Sequence, residues 1–565
     1  MVRFWLAPRH KRWTLARTGA AVFPLGILLA AACAPSPAPQ QPLPPQAPAP
    51  AAAPRGPQKG GELRVGATTK ATSLNAYRDA GAGSNTVLTG PVYDNLITFN
   101  YRPDVDWRKD LNDLAPQLAS KWVQKDPLTF DFTIQEGVKW SDGTPFTAAD
   151  VVWSYNYWRE PKNAFTRASL IAGADKIEAP DARTVRFTLK APAFTFLPNL
   201  AEQYAGIFPK HIGETGADFE KLEQLVGTGP FKVVSWDRDT RAQLVRNETY
   251  WDAGKPYVDK ITVLFGMDQS ARLAAFVAKE IDVHYVTDEK TYQTVKTQLP
   301  DIEGEVNIGN THVHIYINNG KKPFDDVRVR KALHLAVDRA TLNKVVSGGK
   351  GQINPPLVWG GTVYAIPQEE LLKRPGYRAD KTQDLADAKR LLSEAGFPSG
   401  LKAVVKTSSE LVSTPPVQQA FVEQMKKIGV ELEDRQTDRA SFTKEFNAKE
   451  YELSTWIFSS PDPDQPLSTR LHSKSTSNVS NVEDSRLDEM IAAQREAQTT
   501  DQRKKVLRDL QEYLEEKVYL IPTIDYASWS MRQGYLQSWV DNRGVDPFMN
   551  ASQIFWLDQA KMPKR

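Results

Sequence analysis

The stretch Gly137-Val-Lys-Trp-Ser-Asp-Gly-Thr-Pro-Phe146, followed at once by Thr147-Ala-Ala-Asp-Val151, carries the most structural information in this chain. Asp142-Gly143 is a strong turn signal, because glycine adopts backbone conformations that other residues avoid. Thr147 and Asp150 have the spacing of a capping box, with a hydroxyl at the helix entry and an acid three residues on. That spacing predicts a helix from Val151 to Trp158. Just upstream, Thr129-Phe-Asp-Phe-Thr-Ile134 alternates apolar and polar residues, and Thr184-Val-Arg-Phe-Thr-Leu189 does so downstream. Both read as half-buried strands. Strands and helices interleaved in this way place the chain in the α/β or α+β class.

The start of the chain reads as a targeting segment. Arg3, Arg9, Lys11, Arg12 and Arg17 precede an apolar, small-residue run, Gly19–Ala32, that ends at Cys33, the one cysteine in the sequence. The run is too short for an ordinary membrane span, which needs about 20 apolar residues. Small residues before a lone cysteine resemble a bacterial lipobox, which makes Cys33 a lipidation candidate. The alternative is an ordinary secretory signal with an incidental cysteine. Residues 34–57 are almost all Ala, Pro and Gln, a composition that builds no core and favours extended chain. At about 3.1 Å per residue such a tether reaches on the order of 70 Å. The whole sequence has 71 basic and 68 acidic residues. Without the five basic leader residues the balance is 66 to 68, or −2, so nothing points to nucleic acid.

Further along, Gly60–Gly66 and Lys260–Phe265 read as strands, and a helical run is expected to end near Ile97. Gly227, Gly229 and Pro230 set a tight approach into another strand. Asp326–Val346 and Asp384–Gly396 carry apolar residues at helical spacing.

Four passages in this order resemble the family 5 extracellular solute-binding proteins, which include the oligopeptide- and dipeptide-binding proteins of ATP-binding cassette (ABC) importers. They are Leu114-Ala-Pro-Gln-Leu-Ala-Ser-Lys-Trp122; Gly137–Val151; Gly227-Thr-Gly-Pro-Phe231 with Arg246-Asn and Tyr250-Trp251; and Pro323–Leu333 with Ala336-Val-Asp-Arg339. The resemblance continues through Ala388–Pro398 to Tyr451-Glu-Leu-Ser-Thr-Trp-Ile-Phe-Ser-Ser-Pro-Asp-Pro-Asp-Gln-Pro466. It implies an α/β, periplasmic-binding-protein-like fold (class II, cluster C), with two lobes and three domains around a ligand cleft. Domain I would comprise 60–92, 196–286 and 528–565, domain II 93–195 and domain III 287–527, after a signal peptide over 1–33 and a tether over 34–59. It also implies a monomer outside the cytoplasm, held at the membrane by Cys33 and serving an ABC importer permease.

Catalysis has little support in the sequence. The only thiol lies in the leader, and neither a Gly-x-Ser-x-Gly elbow nor a His-Glu-x-x-His helix occurs. His312 and His314 would share one strand face, where a metal is conceivable, but two ordinary histidines on a partly exposed strand are the simpler reading, with no further ligand at useful spacing. Asp462 and Asp464 leave a glycosidase open by composition, although two carboxylates in a proline loop more often serve turns and hydrogen bonds. The expectation is therefore a binder with no catalytic residues, no metal and no cofactor.

In Tyr451–Pro466, Tyr451, Leu453, Thr455 and Ile457 would take one face of a strand and Glu452, Ser454, Trp456 and Phe458 the other, before a break at Ser459-Ser460. The candidate ligand-binding residues are Trp456, Phe458, Ser459, Ser460, Asp462 and Tyr526, with Gly83 and Ser84 in the loop Gly81–Ser84. In peptide-binding relatives, an aspartate three residues after the tryptophan that matches Trp456 pairs with the peptide amine; here that position is Ser459. An oligopeptide is the expected ligand from the family, and an oligosaccharide or other neutral solute is the alternative that Ser459 raises.

Overall fold

The computed structural model describes residues 56–563 apart from 68–69, 76–86, 103–105, 164, 166, 203, 412, 461 and 541–551, and apart from the side chains of 107, 309–311 and 459. Cys33, Gly83, Ser84 and most of the tether, as well as the Ser459 side chain, lie outside the described residues. No helix among the described residues is long and apolar enough to cross a membrane.

Three larger sheets organise the chain. The first runs Glu62–Gly66, Lys260–Leu264, Arg241–Arg246, Phe231–Asp237. Its opening pair is parallel, so residues almost 200 apart in sequence, Leu63 and Ile261, become register partners. The second is an antiparallel sheet of Ala119–Asp126, Thr129–Ile134, Thr184–Leu189 and Ala174–Asp181. Phe130, Phe132 and Ile134 are buried while Thr129, Asp131 and Thr133 are less so, the two-residue period expected of a half-buried strand. The first two sheets share one continuous apolar core.

The helix predicted at Val151 spans Ala148–Arg159. Asp150 Oδ2 accepts from both the backbone N–H (2.8 Å) and the hydroxyl (3.0 Å) of Thr147. Trp140, upstream of the turn, is fully buried. The segment near Ile97 differs from expectation: Ile97–Phe99 is a strand, paired with Leu114–Pro116.

The third sheet has seven strands. Its main order is Val283–Val286, Leu520–Arg532, Val306–Ile317, Leu453–Ser459, Leu401–Ser408, Val430–Thr437, and Gln352–Ile353 adds to Leu520–Arg532. One face carries Val313, Ile315, Ile317, Leu453 and Ile521 into a core with the flanking helices. The expected helix over Asp326–Val346 is two helices, Val327–Ala336 and Arg339–Ser347. Asp338 breaks the run by capping the second one, its carboxylate accepting from Thr341 N–H at 2.9 Å. The break lets Arg339 turn inward, where it donates to the carbonyls of Pro522 and Gly376. The helix read from Asp384 spans Thr382–Glu394 and stops before Gly396, whose φ is +95°.

Candidate functional site

The strand Leu453–Ser459 lies beside Val306–Ile317, with His312 opposite Phe458, His314 opposite Trp456 and Tyr316 opposite Ser454. Opposed residues share a face, so these six line the side of the sheet away from its main core. Leu453 and Ile457 take the core side as the alternation predicts, but Tyr451, just ahead of the strand, joins the other group and stacks on Phe446 at 5.3 Å. The Trp456 ring is half-buried against Phe442 (4.7 Å) and Phe446 (5.8 Å) from the helix Arg439–Asn447. Phe458 faces the guanidinium of Arg470, 5.4 Å from its ring centre.

After the strand ends, its carboxylates are taken up by arginines. The Ser460 hydroxyl donates to the Asp462 carbonyl (2.9 Å) and accepts from the Asp462 N–H (3.2 Å), which fixes the turn. Asp462 receives both terminal nitrogens of Arg503, at 2.6 and 2.8 Å. Asp464 Oδ1 receives Arg495 at 2.6 Å and Gln494. The Arg503 side chain is fully buried and its guanidinium lies 4.9 Å from the ring centre of Phe194 and 4.8 Å from that of Tyr364. Burial lowers the affinity of its guanidinium for its proton, yet Asp462 more than offsets this and the net shift is upward.

Phe194 follows the second sheet in sequence, yet it packs, as Tyr364 does, against the helices around the third, from which Arg503 comes. Its backbone N–H also donates to the Arg495 carbonyl at 2.8 Å. The two sides of the molecule meet here. Between them lies a cavity of about 120 Å³, bordered by Arg167, Thr195, Asn199 and Tyr204 on one side and by Ser460, Asp462, Gln465 and Ser468 on the other. A second junction places Arg108 over Trp359 at 4.0 Å, with its guanidinium donating to the Ile308 carbonyl at 2.7 Å.

The histidine pair is buried rather than partly exposed, with His312 and His314 each 1% accessible. His312 Nδ1 lies 2.8 Å from Asp525 Oδ1 and 3.1 Å from Asn354 Nδ2. Burial raises the pKa of Asp525, with His312 acting against it. Burial, and then His312, lower that of His314 to about 3, so it stays neutral. Among the described residues no three His, Cys, Asp or Glu side chains are placed to hold a metal ion. Tyr526 packs partly against the main core of the large sheet, and burial, then Asp525, raise its pKa.

The structure thus brings Trp456, Phe458, Ser460 and Asp462 together at one end of the sheet. The residues that sequence reading missed are Arg470, Arg503, Phe194 and Tyr364. A loop rich in Asp and Pro gives notice of ion pairing, but nothing local to it names a partner forty residues away.

The profile of bacterial extracellular solute-binding proteins, family 5 (middle), matches residues 113–478. The chain belongs to this family. This family 5 protein is 27% identical over 511 residues to the heme-binding protein A of Haemophilus influenzae, covering 82% of the present chain and 89% of the relative. It is 30% identical over 388 residues to the dipeptide-binding protein of Escherichia coli, covering 61% and 68%. Among solved structures, a periplasmic binding protein from Helicobacter pylori in complex with the peptide STSA superposes with a TM-score of 0.70 at 24% identity, covering 89% of this chain and 99% of the other. A periplasmic binding protein of Agrobacterium tumefaciens R10 in complex with mannopinic acid gives 0.68 at 26%, covering 88% and 99%. The fold is the α/β, two-lobed architecture of these periplasmic binding proteins, and the family 5 chain is a binding protein, not an enzyme.

Proposed function

We propose that this family 5 protein is a monomeric lipoprotein, anchored outside the cytoplasm through Cys33, that captures an oligopeptide between its lobes and delivers it to an ABC importer permease. The observation that carries the reading is the cavity bordered by residues 167–204 on one side and 460–495 on the other, because a receptor that closes on its ligand needs contacts from both sides. Dipeptide- and oligopeptide-binding relatives support a peptide as the solute. The domain boundaries at 92–93, 195–196, 286–287 and 527–528 belong to the same reading; the separate first and second sheets support the first two, whereas the seven-stranded sheet takes in Val283–Val286 and the whole of Leu520–Arg532 and so runs across the last two.

Trp456 and Phe458 would then form an aromatic wall, with polar contacts from Ser459 and Ser460; Gly83 and Ser84 are further ligand-binding candidates, whereas Tyr526 packs toward the main core. Asp462 would act mainly through Arg503, because its carboxylate is already bidentate with that guanidinium and also accepts from the Asp464 N–H.

A second reading, an oligosaccharide or other neutral solute, draws on the hydroxyl and amide groups of Thr195, Asn199, Gln465 and Ser468 in the cavity wall. Native mass spectrometry of freshly purified protein separates the two. A retained mass that fragments as a peptide supports the first reading, and a retained saccharide replaces it with the second. Metabolic labelling with a fatty acid, lost in a Cys33→Ala variant, tests the anchor.

A further inference from the structure

The wall segment after Trp456 holds three charges of interest, and only one has no counterion. Asp462 is matched by Arg503 and Asp464 by Arg495. Arg470, on the turn Leu467–Leu471, has no carboxylate partner among the described residues. Its guanidinium lies over aromatic rings instead, 5.4 Å from the centre of Phe458 and 5.9 Å from that of Phe446, and its Nε is buried without a hydrogen bond. Stacking orients a guanidinium but leaves its in-plane N–H donors unused.

Other groups on the same face share this condition. Tyr316 and Ser454 stand opposite each other on adjacent strands, both fully buried, and neither hydroxyl has a protein partner. His312 Nε2, further along the face, is also buried and unpaired. Arg470 is close enough to Tyr316 and Tyr451 to act on both electrostatically. Buried polar atoms are almost always satisfied in native proteins. Arg470, only part-buried, presents a positive fork at the wall formed by Trp456 and Phe458, complementary to an acceptor-rich, negatively charged group. At position 459, where peptide-binding relatives place an amine-pairing aspartate, the chain has serine.

We infer that Arg470, backed by the buried Tyr316, is an anionic-group receptor in the ligand site, and that the solute bears a carboxylate which docks at the Trp456–Phe458 wall. This rests on the reading of that wall as part of the ligand site. It deepens it by reversing the charge expected there: the ligand presents an acid to this end of the sheet, not an amine.

The test offers the full-length protein a pool of random-sequence tetrapeptides in four forms (free, N-acetylated, C-amidated and blocked at both ends) together with gluconate and glucose, and identifies the captured members by mass spectrometry. Capture of free-acid members over their amides, with acetylation of the amine tolerated, supports the inference. Arg470→Gln should then reduce the preference about 10- to 100-fold, as expected for loss of a charge-assisted hydrogen bond, while Arg470→Lys keeps most of it. Equal capture of acids and amides by the wild-type protein, an unchanged preference in Arg470→Gln, or capture of no acidic member would each overturn it. The wild-type comparison stands even if the glutamine variant folds poorly. Capture of gluconate without peptides would support the role of Arg470 while removing the peptide from the functional reading.

Discussion

The guanidinium carbon of Arg503 lies 4.9 Å from the ring centre of Phe194 and 4.8 Å from that of Tyr364. A charge with no solvent access is thus held by one carboxylate, one amide and two aromatic faces, and one of those faces comes from the other side of the cleft. The aromatic contacts are worth roughly 0.5–2 kcal/mol each, which suits a contact made on closing and released on opening. Phe194→Ala should therefore weaken solute binding several-fold and leave the unfolding midpoint of the ligand-free protein nearly unchanged. A large fall in the midpoint with binding intact would mean that Phe194 is a permanent core residue.

Asp462→Asn addresses the same arginine from the other direction. It leaves the buried guanidinium without its counter-charge, and removing one partner of a buried pair costs about 3–5 kcal/mol. Guanidinium-chloride unfolding should show a loss of that order. A loss below about 1 kcal/mol would mean that the pair is effectively solvated.

Trp456 shows how far sequence reading carried. The alternation from Leu453 to Phe458 assigned Trp456 to the face away from the main core, and it lies there. The stacking on Phe442 and Phe446 makes this candidate ligand-wall residue also the edge of a small core. The sequence does not display that contact, because the helix covering the face begins at Arg439 and is not matched to the strand by any shared periodicity. The same holds for Asp462 and Asp464, whose partners Arg503 and Arg495 come from later helices. Local rules, by contrast, were legible: the turn at Gly143, the cap at Thr147 and the stop at Gly396 each follow from a residue's own backbone or hydrogen-bonding preference. For Trp456→Ala, half-burial implies a stability loss of about 2 kcal/mol, less than the 3–5 of a fully buried aromatic, together with weaker binding. Thermal denaturation and binding measured on the same sample check both effects.

His314 should make the fold acid-sensitive. Burial first, and His312 second, lower its pKa to about 3 from an ordinary value of 6.5. Between those values the unfolded chain binds a proton that the folded chain does not, so stability rises with pH. The contribution is complete above about pH 6.5 and is lost progressively as the pH falls toward 3, by at most about 1.4 kcal/mol per unit. Asp94 acts with the opposite sign, because burial raises its carboxyl to about 6 and its folded state gains relative stability on acidification. The difference between wild type and His314→Gln isolates the histidine. Urea midpoints at pH 7.5 and 5 should fall further in the wild type, and equal falls would show that His314 is protonated in the folded protein.

Gly227 and Gly143 separate two reasons for glycine near the turn that opens the first long helix. Gly143 has φ +91° and open space where a Cβ would stand, so Gly143→Ala meets only backbone strain, about 1–2 kcal/mol. The φ of Gly227 is not in the left-handed region, but a Cβ there would fall 1.8 Å from the Val92 carbonyl oxygen. That neighbour is backbone and has no rotamer to change. It is also anchored, because the Gly229 N–H donates to the same oxygen at 2.8 Å and the Ser141 N–H donates to the Gly227 carbonyl at 2.9 Å. An alanine at 227 must part the segment 90–92 from the strand entry and pull the turn with it. Overpacking against side chains costs about 1–3 kcal/mol, and a rigid backbone contact should exceed that range. Denaturant unfolding of the two variants should therefore rank Gly227→Ala well below Gly143→Ala. Comparable losses would mean that the Val92 segment yields, and that the close approach is not what fixes glycine at 227.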